Sequence, residues 1–521
     1  MKNHYLLFLF FSIIGSCLLL DGQNTGSWGD QGNGTYINPI LNADYSDPDV
    51  IRVGDKYYMV CSEFHFMGMP VLESTDMVNW KIIAQVFRSI DLPGYSTNER
   101  YAGGTWAPAL RYHNNRFWMY VCTPGEGLLM SSSEKPEGPW DPLHLVQATP
   151  GWEDPCPFWD DDGTAYLGRS QVGAGPIIIH KMSSDGKTLL DDGVTVYTGP
   201  VAEGTKIHKL NGYYYLSIPE GGVQGGWQTI LRSKNIYGPY EKKVVLETGS
   251  TNINGPHQGS LVDTPEGDWW FYHFQARGSI GRIVHLQPVI WQDNWPVIGV
   301  DIDRNGIGEP VYVWRKPDVK GDPSIKAPQS DDDFNSPELG LQWQWNHNPD
   351  DSRWSLTEKN GYLTLEAGKA ENFVLARNTL TQKLMGFTGE AVTEMDMSNI
   401  SEGQKAGLCS MGGKTNNLIG VTKKGNQLFV FMESMGKITD EKAIRGRRIW
   451  FKVTLDIETH NNQFWYSTDN KNFISLGNTF MTSFGNWKGT RLGLYSFNEK
   501  DESGSAAFNW FTYEYDGPKG L

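Results

Sequence analysis

The sequence predicts an all-β protein: a five-bladed β-propeller followed by a C-terminal β-sandwich. Three observations predict it. A strand–turn–strand unit recurs five times before residue 315, a proline-rich stretch interrupts it, and beyond that stretch strand patterns continue without the repeat.

The N-terminus comes first and reads as an export signal over residues 1–22. Lys2 and His4 precede an apolar run over residues 5–20, and polar Asp21-Gly22-Gln23-Asn24 follow. A run of about 16 residues is short for a membrane span, so no transmembrane helix is expected. The expected location is the periplasm. Ile14-Gly15-Ser16-Cys17 also has the form of a lipoprotein signal, and a lipid anchor through Cys17 is the alternative.

The five repeats carry their turns at Gly54-Asp55, Asn114-Asn115, Asp162-Gly163, Asn211-Gly212 and Glu266-Gly267. Pairs such as Asn-Gly and Asp-Gly tolerate the positive φ of two-residue hairpin loops. The flanking runs, such as Val50-Ile51-Arg52-Val53 and Tyr57-Tyr58-Met59-Val60, are β-branched and aromatic. Spacings of about 50–60 residues suit four-stranded blades, which places the propeller over residues 36–315.

Residues 316–330 hold three prolines and almost no apolar residue, the composition of an extended connector. Tyr362-Leu363-Thr364-Leu365-Glu366 and the run from Phe451 to Ile457 then alternate apolar and polar residues, as half-buried strands do. The sandwich is expected over residues 331–521.

A net charge of −15 argues against a nucleic-acid partner. Cys61, Cys122, Cys156 and Cys409 form no C-x-x-C pair and read as buried thiols, and no cluster of metal ligands is visible.

A radial repeat brings equivalent positions to one axis. Asp47, Asp154 and Glu203 stand seven or eight residues ahead of their turns, Trp106 takes that place in the second copy, and His257 lies nine ahead in the fifth. A lone Asp-Pro is ordinary turn chemistry. Three acids at one mouth suit glycosidic cleavage instead: one protonates the leaving oxygen, another activates water, and a third raises the donor's proton affinity.

At these residues the sequence resembles glycoside hydrolase family 43. The resemblance is carried by Asn38-Pro39-Ile40-Leu41 with Tyr45-Ser46-Asp47-Pro48-Asp49, Thr105-Trp106-Ala107-Pro108, Glu153-Asp154-Pro155, Ala202-Glu203-Gly204, Gly255-Pro256-His257-Gln258-Gly259-Ser260 and Gly281-Arg282. The stretch from Asp333 to Pro349 resembles the concanavalin-like sandwich of the family's β-xylosidase-like members. The resemblance implies an inverting hydrolase with Asp47 as general base, Glu203 as general acid and Asp154 tuning the acid. It further implies sugar contacts from Trp106, His257, Arg282, Phe64 and Phe66, no cofactor for the chemistry, and a structural cation such as Ca2+ near His257. The expected partner is an oligosaccharide or polysaccharide.

The reading favoured here is an exo-acting α-L-arabinofuranosidase on plant hemicellulose, because His65 stands where the β-xylosidase members carry an aromatic. A β-D-xylosidase is the alternative, and Trp343, Trp345 and His347 are candidate sandwich contributors to the pocket. Rival readings are a non-catalytic carbohydrate-binding propeller and a retaining fructan-cleaving enzyme.

Overall fold

A computed structural model describes residues 27–322 and 324–518; the export segment and Cys17 lie outside the described residues. The described residues form strands with only three short 3-10 helices, at Gly278–Ile280, Asp351–Arg353 and Phe373–Leu375. None of their helices is long and apolar enough to cross a membrane.

Five four-stranded antiparallel sheets make the propeller. Their first strands are Asp49–Val53, Ala109–His113, Trp152–Trp159, Lys206–Leu210 and His257–Asp263, and each sheet runs through its strands in chain order. No blade therefore borrows a strand, and the ring closes through side chains and through the backbone bridge of Leu41 to Val284 of blade 5. Ser260 of blade 5 donates to Asp49 of blade 1 at 2.6 Å and accepts from the Val50 amide at 2.9 Å. Arg52 pairs with Asp263 at 2.6 Å. Asn38 clamps the N-terminal segment against blade 5 by three bonds, to the Leu286 amide and to the Leu286 and Val311 carbonyls.

Deep on the axis, Asp49 is fully buried between Arg111 (2.7 Å) and Lys206 (3.8 Å), which ties blades 1, 2 and 4 together. Its carboxyl is held below the ordinary value: burial raises it, but the two cations, Ser260 and the Leu110 amide outweigh that.

The segment after the propeller follows blade 1. Lys316 pairs with Asp30 and Asp76 at 2.5 and 2.6 Å, and Gln329 bonds both backbone groups of Ile82. The sandwich stacks an eight-stranded sheet on a seven-stranded one. All four described cysteines are buried and free.

Propeller and sandwich meet over a buried ionic cluster. Glu63 binds Lys383 at 2.6 Å and Arg491 at 2.5 Å, while Lys488 lies 3.1 Å from Asp44 and 3.8 Å from Glu63. All five side chains are buried, so their charges must be satisfied within the interface. A cavity of about 1090 Å³ lies elsewhere on this boundary, between the outer strand of blade 1 and Trp354 and Trp510 of the sandwich.

Candidate active site

Asp47 and Asp154 sit at the entrances of the inner strands of blades 1 and 3 with left-handed backbones, φ 54° and 53°. Asp accepts this region more readily than most residues, and such outliers mark functional positions. At Asp154 the strand pairing shifts register between Glu153 and Cys156, which breaks the in–out alternation and re-aims the side chain. The matching positive φ in blades 4 and 5 falls on Gly204 (60°) and Gln258 (56°). Glu203 and His257 thus stand one residue before the position held by Asp47 and Asp154. The true counterpart of Glu203 in blade 3 is Glu153. Gly204 is also sterically required, because a Cβ there would lie 2.5 Å from Pro219 Cγ.

Asp47 is buried and receives Arg282 Nη1 at 2.8 Å on one oxygen and 3.1 Å on the other. Ser62 also donates to it. The loop carrying Arg282 is fixed by Asp44, which accepts from the Arg282 amide at 2.9 Å. Gly281 has φ 101°, and a Cβ there would lie 2.5 Å from Asp44 Cγ, so no larger residue fits at position 281. The Arg282 Nε is buried without a partner among the described residues and remains a free donor beside Asp47.

Oxygens of Glu153, Asp154 and Glu203 lie within 4.8 Å of one another, and Asp47 is outside that cluster. Asp154 accepts from the Gly204 amide at 2.6 Å and from Ser170 at 3.5 Å. Burial, reinforced by Asp154 and Asp47, raises the Glu203 carboxyl to about 8. Asp154 is raised less, to about 6, by burial and Asp47 against the opposing Gly204 amide, Lys206 and Arg282. The pocket thus separates an arginine-bound carboxylate from a carboxyl that keeps its proton near neutrality. That is the division of labour acid–base cleavage requires.

The aromatic residues divide into two groups. Phe64 and Trp106 pack at 5.8 Å, and Trp106 meets Trp487 edge-on at 6.3 Å. Trp487 belongs to the sandwich, is 43% exposed, and lies 5.7 Å from the Arg282 guanidinium. Its loop is docked on the propeller by the Gly489 amide on Asp44 (2.8 Å) and by Thr482 on Ser279 (2.7 Å). Phe66 instead lies in a buried cluster with Phe373 and Tyr495, under the Arg491 guanidinium at 3.6 Å. His65 is buried against Phe66, Tyr101 and His347 and accepts from the Ala102 amide. Its departure from an aromatic is therefore a packing substitution and does not report on the sugar. Trp343 and Trp345 are also core residues: Trp343 packs on Phe334 and Phe511, and Trp345 on Trp354. The sandwich residue that reaches the pocket is Trp487, which no repeat position or motif marks in the sequence.

His257 is fully buried, and burial drives its pKa down to about 3 against the Gly255 and His257 backbone groups beside its ring, neither of which closes a well-formed hydrogen bond. An uncharged imidazole with weakly satisfied nitrogens therefore stands near the axis. It joins no cluster of three ligating side chains among the described residues.

Residues 36–296 match the profile of glycosyl hydrolases family 43, and residues 331–514 match that of the beta xylosidase C-terminal concanavalin A-like domain. A protein of Xylanibacter ruminicola, named provisionally as a beta-xylosidase, is 55% identical over 90% of this chain and 88% of its own length. A beta-xylosidase of Formosa agariphila is 41% identical over 95% of this chain and 93% of its own. A non-reducing end alpha-L-arabinofuranosidase of Bacteroides ovatus is 28% identical over 92% of this chain and 94% of its own. Among solved structures, a family 43 protein from Bacillus licheniformis superposes with TM-score 0.82 at 28% identity, covering 92% of this chain and 99% of that one.

Proposed function

The chain belongs to glycosyl hydrolases family 43, and from that premise we propose that it is an exo-acting β-D-xylosidase on xylo-oligosaccharides of plant hemicellulose. Release of terminal α-L-arabinofuranose is secondary. This reverses the preference for arabinofuranose drawn from the sequence. The argument for that preference rested on His65, which packs away from the acids. The two relatives above 40% identity both carry beta-xylosidase names, whereas the arabinofuranosidase stands at 28%.

The observation that carries the proposal is the contrast between Asp47, bound by Arg282, and Glu203, a carboxyl with raised proton affinity outside Asp47's immediate contact. Asp47 takes a proton from a water, whose oxygen attacks the anomeric carbon. Glu203 gives its proton to the departing glycosidic oxygen as that bond breaks. The attack and departure occur on opposite faces, so configuration inverts. Asp154 remains an anion whose charge favours the protonated form of Glu203. Arg282 orients Asp47. Trp106, Phe64 and Trp487 give the terminal sugar apolar faces, and the sandwich loop carrying Trp487 narrows the mouth to a chain end.

A water or a structural cation beside the buried His257 is part of the proposal, and no step of the reaction runs through it. Export to the periplasm is part of the proposal and is tested by N-terminal sequencing of the mature protein.

The test is proton NMR of the first-formed xylose together with kcat/KM on paired 4-nitrophenyl β-D-xyloside and α-L-arabinofuranoside. The expected result is α-xylose first and preference for the xyloside. β-Xylose first would remove the base role of Asp47, preference for the arabinoside would reverse the substrate assignment, and no sugar release would leave a binding protein.

A further inference from the structure

One carboxyl in the pocket has no part in the proposed mechanism. Glu153 is 4% exposed and occupies in blade 3 the place Glu203 holds in blade 4. Its oxygens share the 4.8 Å cluster with Asp154 and Glu203. Ser170 lies between the two blade-3 acids, 3.4 Å from Glu153 and 3.5 Å from Asp154.

The groups facing this cluster come from all five blades: Asp47 of blade 1 adds a charge that raises both Asp154 and Glu203, and within blade 3 the Ala174 amide and Ser170 act on Glu153. Cys122 faces it from blade 2 as a thiol that burial holds protonated. The Gly204 amide and Lys206 come from blade 4, and Arg282 from blade 5. Every nearby cation is engaged with something else: Arg282 with Asp47, Lys206 with the Pro108 carbonyl and Asp49, and Arg169 with the Trp152 ring and His180. Three negative charges at this spacing would be uncompensated.

We propose that Glu153 is a positioning residue that carries a proton beside Glu203, leaving Asp154 as the single anion of the trio and keeping the acid loaded to higher pH than it would be alone. This rests on the reading of Glu203 as the general acid. The backbone decides which oxygen goes bare: the Gly204 amide donates to Asp154 at 2.6 Å, whereas Glu153 has only the Ala174 amide and the long Ser170 contact to oppose burial and its two acid neighbours. The two glutamates then hold two protons between them. As pH rises the pair loses one proton, and the new charge holds the other more tightly. That remaining proton can move from the Glu153 carboxyl to the Glu203 carboxylate, leaving Glu153 ionised and Glu203 loaded, with no other reactant. Burial, with Asp154 and Glu203 beside it, lifts Glu153 to about 9, above Glu203.

Glu153→Gln keeps the shape and removes the exchangeable proton. Its alkaline limb on xylobiose should move down by about half to one pH unit. The limb on 2,4-dinitrophenyl xyloside, whose leaving group needs no proton, should stay in place. An unmoved limb on xylobiose, or an equal shift on both substrates, overturns the proposal.

Carboxyl-13C NMR of glutamate-labelled protein gives a second reading that does not depend on that variant folding. Two glutamates should titrate above about pH 6.5 in the wild type and one in Glu203→Gln. A single high titration in the wild type overturns the role of Glu153. Wild-type turnover of xylobiose by Glu203→Gln would instead overturn the acid assignment, and the NMR count would tell the two failures apart.

Discussion

Replacing Glu203 by Gln separates leaving-group protonation from everything else the pocket does. Glutamine preserves the size of the side chain and its place within 4.8 Å of Asp154 but cannot give up a proton. A positioned general acid contributes about 10²–10⁴ in rate, which corresponds to roughly 2.7–5.5 kcal/mol of barrier. The upper part of that range is expected with xylobiose, whose sugar alkoxide is a poor leaving group. With 2,4-dinitrophenyl xyloside the loss should be about tenfold or less, because the phenolate departs without a proton. The pH profile gives the same test in another form. The acid must be protonated to act, and burial and Asp154 raise Glu203 to about 8, so wild-type activity on xylobiose should fall as pH rises through that region. On the activated substrate, which needs no proton, the variant should keep the wild-type pH profile. Stability should respond as well. A carboxyl raised on folding contributes stability that is complete below its unfolded value and is lost as pH rises through its folded one, so the gain in Tm from Glu203→Gln should be larger at pH 8 than at pH 5. An equal loss on both substrates would refute the reasoning, since it would make Glu203 a binding group.

Four further substitutions address the rest of the pocket and the interface beside it. Asp47→Ala should lower turnover of both substrates by about 10³-fold or more and should also lower Tm, because it strands the buried Arg282 guanidinium, measured by initial rates and calorimetry; near-normal rates would end its assignment as base. Trp487→Ala should lower kcat/KM on xylobiose about tenfold, roughly 1.4 kcal/mol, and raise activity on internal bonds of xylan; an unchanged product pattern would detach the sandwich from specificity. Glu63→Ala leaves Lys383, Lys488 and Arg491 buried with only Asp44 as anion, and should cost about 3–5 kcal/mol, read as a fall in Tm. Glu441→Ala, which breaks an exposed pair with Lys424, should cost less than about 1 kcal/mol, and equal shifts would show that the buried cluster is not what joins the two parts.

What the sequence disclosed and what it concealed divide along one physical line. Turn pairs such as Asn211-Gly212 announce blades because positive φ is a local demand, met by few residue types. Asp47, Asp154 and Glu203 were legible because repetition brings them to one axis, but the alignment was one residue out. The backbone outlier that defines the position falls on the acid itself in blades 1 and 3 and on Gly204 in blade 4. Counting from that outlier rather than from the turn would have exposed Glu153. Trp487 and the Glu63 cluster had no such signal, since each depends on a packing of sandwich on propeller that joins residues more than 300 positions apart, such as Glu63 and Arg491. His65 shows the converse error. A motif departure was read as chemistry, but the side chain is held in a histidine–aromatic stack behind the pocket, where shape decides the residue. The pocket is thus assembled from two kinds of constraint, repeat-encoded acids and interface-encoded walls. Reading the sugar from sequence fails because specificity lies mostly in the walls.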